Sequence, residues 1–382
     1  MKRKVQKVME SWNRAKGEKG FTLVELMIAL AVTSIIVLAG FTVLTTTDKS
    51  TKANEQAAGT QQNARMAMEL IARDVKLAGF TMPLSPNVPV GGAAGNCGPG
   101  GTSAAVKPVD KVSTASATPN DDGPDTISMI VPRTNPGWQL SQGVPVAPAT
   151  AFTAVTLNPT AITEMQNEGM ADNTSAYVSI GGVLTAQVTS SSGSTINLAN
   201  SINMPTTFPS GTQVYLLQCI TYSVGPDATA CGTAGPCLLR TVDTGTAPTT
   251  TTNIVDGIED IQFALACDGC NPAIKSGVPD GVIDDWNANN QFDATDWQTN
   301  RVWAPLTFDP ATIRLVQVNV VARQTVRDQG LGEVQSPGVL TAGPLTISDH
   351  SHSDDPGYTA STYQQFRRRV LTRTVDARNI GQ

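Results

Sequence analysis

Six cysteines carry the most distinctive chemistry in this chain: Cys97, Cys219, Cys231, Cys237, Cys267 and Cys270. An even number of cysteines in an exported domain is typical of disulfides. We expect Cys231 and Cys237 to close a short Gly/Pro loop. We expect Cys267 and Cys270 to close a tight loop, which leaves Cys97 and Cys219 as a link between distant segments.

Two other chemistries stay open for these residues. Cys267 and Cys270 form a Cys-x-x-Cys motif, which is a redox motif when a βαβ unit surrounds it, and the flanking pattern does not indicate such a unit. Cys231, Cys237, Cys267 and Cys270 could also bind zinc as thiolates, although exported thiols are usually oxidised.

An Asp/Asn-rich loop at 268–296 is the candidate metal site. Calcium binds six to eight oxygens on flexible loops, and we select Asp280, Asp284, Asp285 and Asp293 as its candidate ligands. The run from Asp280 to Asp284 is similar to the middle of an EF-hand loop. Ser276, Val278 and Asn287 would occupy other ligand positions, so a regular EF-hand is not predicted. The alternative is a solvated acidic loop held by Asx-turns.

The remaining composition argues against an enzyme. His350 and His352 are the only histidines, and no convincing set of a nucleophile, a histidine and an acid accompanies them. With Asp354 and Asp355 they could bind a transition metal weakly, but a polar loop is the favoured interpretation. The net charge of -6 does not favour nucleic-acid binding, and no cofactor other than calcium is predicted.

The N-terminus determines how the rest of the chain must be positioned. Residues 1–20 contain seven Lys/Arg and two Glu, and the following 24 residues, Phe21–Leu44, contain one charge, Glu25. As a helix this run would span roughly 36 Å, enough for a bilayer core of about 30 Å. The basic flank predicts a cytoplasmic N-terminus and an exported body. The apolar run is too long for an ordinary signal peptide.

The helix is expected to continue beyond the membrane. No proline occurs between Phe21 and Met82, and small and apolar residues recur at spacings of three and four from Ala53 to Ala78. This pattern predicts an amphipathic face packed on a partner surface. We therefore predict a helical region at 21–80, transmembrane at 21–44, that ends near Gly79 and measures roughly 87 Å.

Residues 81–382 are predicted to form one β-rich globular domain. Residues 81–124 are a Gly/Pro-rich loop, and runs of β-branched residues after Asp125 predict strands. These runs are Thr126–Val131, Ala176–Val188, Thr212–Val224, Leu238–Val242, Ile254–Ala266, Thr312–Gln324 and Phe366–Val375. The Thr-rich stretch Thr241–Asn253 is expected to be a connector.

The sequence Gly20-Phe21-Thr22-Leu23-Val24-Glu25 resembles the class III signal of type IV pilins and type II secretion pseudopilins. The resemblance implies that a prepilin peptidase removes the leader 1–20 after Gly20 and that Phe21 becomes the methylated first residue. It also implies that Glu25 neutralises the new α-amino group of a neighbouring subunit during assembly.

Other stretches resemble PilW-type minor pilins: 61–65 and 72–80 at the end of the helix, 255–263, 314–323, and 366–379 near the C-terminus. This resemblance implies an α+β fold in which a long N-terminal helix packs on an antiparallel sheet.

The resemblance implies a minor pilin that primes or caps a type IV pilus. Its expected partners are the prepilin peptidase, major and other minor pilins, and the inner-membrane assembly platform. It would lie in the inner membrane with a periplasmic C-terminal domain before it reaches the pilus. A type II secretion pseudopilin and an adhesion module displayed on the pilus are the alternatives.

Overall fold

The computed structural model describes most of the helix and of the β-rich body. The described residues are 20–81, 97, 106–109, 123–144, 152–170, 176–202, 207–226, 228–232, 235–243, 250–270, 278–299, 312–327, 343–355 and 358–380. Nearly all of the predicted leader 1–20 and of the predicted loop 81–124 therefore lies outside the described residues.

A single long helix, α1, runs from Leu23 to Leu77 over 55 residues. It begins after Thr22, which caps it, and it ends where Gly79 adopts a φ of +74°. The N–H of Gly79 donates to the carbonyl of Ile130, so the chain leaves the helix already bonded to the sheet. The continuous helix predicted from the missing prolines is confirmed, with its ends two or three residues inside the predicted region.

Strands β1–β9 form the larger sheet, and every pairing in it is antiparallel. The order is β1-β2-β7-β4-β5-β6-β3, and β8 joins β7 to β9. The bounds are β1 Val106–Val109, β2 Thr126–Arg133, β3 Phe152–Thr156, β4 Ala176–Ile180, β5 Leu184–Ser192, β6 Thr195–Ile202, β7 Val214–Gly225, β8 Cys237–Asp243 and β9 Thr250–Asp256.

The smaller sheet has the antiparallel order β11-β10-β12-β15, and β13 and β14 form a separate hairpin. The bounds are β10 Ile258–Cys267, β11 Gln298–Thr299, β12 Ile313–Arg323, β13 Thr346–Ile347, β14 His350–Ser351 and β15 Arg368–Asp376. Short helices are α2 Ala161–Asn167, α3 Ala228–Cys231 and α4 Ala360–Tyr363, with a 3-10 turn at Ala294–Asp296.

Two predicted strand runs are each interrupted by glycine. Ala176–Val188 divides into β4 and β5 at Gly181 and Gly182, whose φ angles are +61° and +72°. Ile254–Ala266 divides at Gly257, where φ is +75° and an added Cβ would lie 2.7 Å from the carbonyl oxygen of Arg323. Part of the predicted Thr-rich connector is strand β9. Six strands were not predicted: β1, β3, β6, β11, β13 and β14.

Strand β7 joins the two larger hydrophobic cores. One core packs α1 against the smaller sheet and against Ile220 and Tyr222 of β7. The other core surrounds Trp138 and Met165 and includes Leu216 of the same strand. The predicted α+β class, a long N-terminal helix packed on antiparallel sheets, is confirmed.

Candidate assembly site

The predicted processing site lies immediately before α1. Gly20 and Phe21 precede the first helical residue, and the Phe21 side chain is 84% exposed. Thr22 Oγ1 accepts from the Glu25 N–H at 3.2 Å, while Glu25 Oε2 accepts from the Thr22 N–H at 3.0 Å. This reciprocal capping box satisfies two of the helix's first amides and fixes where the helix starts. The Gly20–Phe21 peptide bond is consequently outside the helix.

The first half of α1 has no protein partner among the described residues. An 18-residue window within the helix has a mean hydropathy of 2.5 and is 0% buried, so by length and composition this helix could cross a membrane. Fifteen large apolar side chains between Phe21 and Leu44 are exposed. Their surface requires an apolar environment outside this chain.

The second half of α1 packs on the sheets. The predicted stripe lies on the docked face: Thr60, Ala64, Met68, Ile71, Val75 and Ala78 are buried, whereas Ala53 and Ala57 are half-buried. Small residues at this face allow the helix to approach β10, β12 and β15 closely. The helix therefore has two surfaces of different kinds, one packed within the chain and one open.

A buried carboxylate on the docked face was not predicted. Asp74 is 1% exposed, and its Oδ2 accepts from Tyr222 Oη at 2.6 Å and lies 3.4 Å from Arg240 Nε. Arg73 Nε donates to its Oδ1 at 3.0 Å. Burial, together with the adjacent Asp74 charge, raises the pKa of Tyr222. The sequence feature that could have indicated this burial is the position of Asp74 between Ile71 and Ala78 on the apolar stripe.

The C-terminal segment also attaches the helix to the body. Arg373 Nη1 of β15 donates to Glu69 Oε1 at 2.6 Å, and Asn379 Nδ2 donates to the carbonyl of Lys76 at 2.7 Å. Arg368 contacts both carboxylate oxygens of Glu259 on β10. The basic C-terminal run thus pairs with acidic groups of this chain.

The structure joins the six cysteines as Cys97–Cys219, Cys231–Cys237 and Cys267–Cys270. These are the three pairs expected from the sequence. Cys97–Cys219 attaches a distant residue to β7, and the other two pairs close short turns. The four sulfurs considered for zinc are all used in disulfides here.

The predicted calcium ligands serve as backbone caps in the structure. Asp280 Oδ1 accepts from the Val282 N–H at 3.0 Å, and Asp284, which is buried, accepts from the Gly269 N–H at 3.1 Å. The Asp285 side chain accepts from the Asn290 N–H. The Asp280 contact is an Asx-turn, the type named as the alternative, whereas Asp284 and Asp285 accept from residues more distant in the chain. Calcium binding stays a prediction.

Asp293, the fourth candidate ligand, lies at the other end of the loop. Hydrogen bonds from Thr295 and Asn289 lower its pKa to about 2. Asp268, also in this loop, is buried and accepts from the N–H groups of Asp280 and Gly281. The loop is therefore organised by its own carboxylates.

A helix that is half docked and half open, and that begins directly after a Gly–Phe bond, is characteristic of the prepilin class. In such a protein the open half is held by a membrane and later by neighbouring helices.

Comparison with known protein families supports the prepilin class. Residues 15–41 match the family model described as "Prokaryotic N-terminal methylation motif", and residues 221–379 match "PilW: Type IV Pilus-assembly protein W". Searches of curated proteins and of solved structures each gave no match. These two matches support a PilW-like type IV pilin with a class III signal, and proteins of that family are structural components of the pilus. The methylation motif implies processing by prepilin peptidase and assembly with other pilins.

Proposed function

We propose that this pilin primes assembly of the type IV pilus or caps its tip. The observation that carries the proposal is the division of α1 into an open apolar half and a docked half. The open half can leave a bilayer and pack among pilin helices, while the docked half carries the body with it. In this proposal the body is periplasmic and the helix is held in the inner membrane until the assembly platform extracts it.

Glu25 has a specific role in this proposal. Peptidase cleavage after Gly20 creates an α-amino group at Phe21, which is cationic near neutral pH. The Glu25 carboxylate, which caps its own helix through Thr22 in this structure, can pair with the amine of a neighbouring subunit. Loss of one partner would leave a charge buried and uncompensated among apolar helices, at a cost of roughly 3–5 kcal/mol.

The size of the body favours a rare position or a position at the tip over one within the densely packed shaft. The core around Trp138 and Met165 and its strands β3–β6 lie outside the residues that match PilW. These strands extend the larger sheet beyond β7 and so enlarge the body. A wide subunit is accommodated more easily at an end of the filament than within it.

The test compares Glu25→Gln with a matched control, Glu55→Gln, an exposed acid on the same helix. Sheared pili and membranes are analysed by mass spectrometry. We expect both variants to begin at methylated Phe21. We expect the wild type and Glu55→Gln in sheared pili at low abundance, and Glu25→Gln only in membranes.

Other outcomes assign other roles. A Phe21 start that never reaches sheared pili, with a secretion defect in the deletion strain, would favour a secretion pseudopilin. An intact Met1 end would show that Gly20 is not a processing site. High abundance along the shaft would contradict the tip position.

A further inference from the structure

Two imidazoles and a carboxylate form a buried cluster beneath the β13–β14 hairpin. Asp260, His350 and His352 are 0%, 0% and 1% exposed. Each offers one potential ligand atom, and these atoms lie within 4.8 Å of one another. The sequence analysis favoured a polar loop for the two histidines, whereas the structure places His350 in β14 and buries both side chains.

Local structure brings the three residues together. Asp260 follows a register shift between Ile258 and Asp260 in the pairing of β10 with β12, and such a bulge re-aims the side chain next to it. His350 belongs to β14, and His352 follows it, with ring centroids 5.0 Å apart. His350 Nδ1 lies 2.9 Å from Asp260 Oδ2, and His352 Nε2 lies 3.8 Å from the same oxygen.

His352 presents an unused lone pair to this cluster. Its Nδ1 lies 3.2 Å from the carbonyl oxygen of Leu345. A carbonyl can only accept, so Nδ1 carries the proton in that bond and Nε2 is the unprotonated nitrogen of a neutral ring. Nε2 is buried, and no hydrogen-bond partner for it occurs within the described part of the chain.

Each of the three groups is also held from outside the cluster. Asp355 Oδ1 lies 3.0 Å from His350 Nε2, and Gln262 Nε2 donates to Asp260 Oδ1 at 3.0 Å. The Leu345 carbonyl oxygen holds His352 in turn, through the contact with Nδ1. Carboxylates, amides and carbonyls that orient ligands in this way are characteristic of metal sites, where they fix the tautomer and the direction of each ligand.

We propose that Asp260, His350 and His352 bind a divalent transition metal of the zinc class. Two nitrogens and one carboxylate oxygen suit zinc, whereas calcium prefers oxygens alone. Ligand atoms at about 2.0–2.1 Å from a tetrahedral zinc are about 3.3 Å apart. The distances from Asp260 Oδ2 to His350 Nδ1 and to His352 Nε2, 2.9 and 3.8 Å, lie on either side of this value. A water would complete the coordination. The metal would join the β13–β14 hairpin to β10. This proposal does not depend on calcium binding by the Asp-rich loop or on the proposed role in the pilus.

The test uses the full chain in detergent, carrying an affinity tag without histidine and stripped of metal with EDTA. Calorimetric titration with Zn²⁺ is expected to show one ion per chain and a raised melting temperature. Co²⁺ should give the visible absorption of a tetrahedral site. Asp355→Asn, which alters only an outer contact, should weaken Zn²⁺ binding about 10–100-fold, and His352→Gln should weaken it further. The matched control is Asp354→Asn, an exposed carboxylate next to Asp355, which should bind as the wild type does.

The wild-type measurement decides the matter even if a variant fails to fold. Absence of saturable one-to-one Zn²⁺ binding to the wild type would overturn the proposal. X-ray absorption at the zinc edge that shows only oxygen ligands would also overturn it, because the metal would then lie elsewhere. Equal binding by His352→Gln, with unchanged circular dichroism, would exclude His352 as a ligand.

Discussion

Asp74→Ala should loosen the docking of α1 on the body more than any surface change on the same helix. The carboxylate is 1% exposed and receives Tyr222 Oη at 2.6 Å and Arg73 Nε at 3.0 Å, with Arg240 Nε at 3.4 Å. Alanine leaves the Tyr222 hydroxyl and the half-buried Arg240 without their acceptor. Breaking a buried charged pair in this way costs about 3–5 kcal/mol of unfolding free energy.

Two further variants separate the contributions. Tyr222→Phe removes one hydrogen bond to a charged group and should cost about 1.5–3 kcal/mol. In the double variant Asp74→Ala/Tyr222→Phe there is no orphaned hydroxyl, so the two costs should fall short of additivity by about 0.5–3 kcal/mol.

The assay is urea denaturation of the full chain in detergent, followed by near-UV circular dichroism and by hydrogen exchange of the docked half of α1. Glu69→Ala is the matched control, since Glu69 is an acid on the same helix that pairs with Arg373 at 2.6 Å but is largely exposed. An exposed pair contributes about 0–1 kcal/mol. If Asp74→Ala costs no more than Glu69→Ala, or if the cycle shows additivity, the buried network does not hold the helix.

Four other outcomes follow from named contacts. The contribution of Tyr222 to the free energy of unfolding should be constant below about pH 10 and fall as the pH rises further, because the raised pKa of Tyr222 means that the folded state holds that proton more tightly than the unfolded state. Tyr222→Phe should remove this component in alkaline urea titrations. Gly257→Ala should cost at least about 1–2 kcal/mol in thermal melts, because φ is +75° and the new Cβ would meet the Arg323 carbonyl. Gly59→Ala, where an added Cβ meets no atom within 4 Å, should stabilise α1 by about 0.5–1 kcal/mol. Peptide mapping without reduction should recover three linked pairs and no free thiol, and replacing Cys97 and Cys219 with serine should cost about 2–5 kcal/mol. Calcium should raise the melting temperature if the Asp-rich loop binds it, and an equal temperature in calcium and in chelator would remove that prediction.

The sequence predicted the helix and the strands in which apolar or β-branched residues recur at a regular spacing. The spacing of small and apolar residues between Thr60 and Ala78 identified the docked face of α1, and alternation of β-branched residues located β2, β7, β8, β12 and β15. The breaks at Gly181 and Gly257 were missed, because the sequence alone does not distinguish a glycine within a strand from a glycine in a turn between two strands. Only the positive φ distinguishes the two cases.

The contacts that Asp260 and Asp74 make with distant residues were not predicted, because a local window of sequence does not identify the partner residue. Asp260 and His350 are 90 residues apart and meet through the bulge in β10. Asp74 and Tyr222 are 148 residues apart and meet only when α1 lies on β7. In both cases the burial of a polar residue depends on a partner segment that is distant in sequence.

The two halves of α1 are stabilised by opposite kinds of surface, and this difference explains how one helix can serve storage and assembly. The docked half combines small residues, the Asp74 network and the Arg373–Glu69 pair, so its orientation on the body is specific. The open half exposes fifteen large apolar side chains between Phe21 and Leu44, each stabilised by about 1.5–3 kcal/mol on burial. Apolar burial is non-directional, so this half can exchange lipid for neighbouring helices without a change in the chain itself. In the proposed assembly, Glu25 would add a directional element to that half, because its buried carboxylate would be compensated only where the α-amino group of a neighbouring subunit lies opposite.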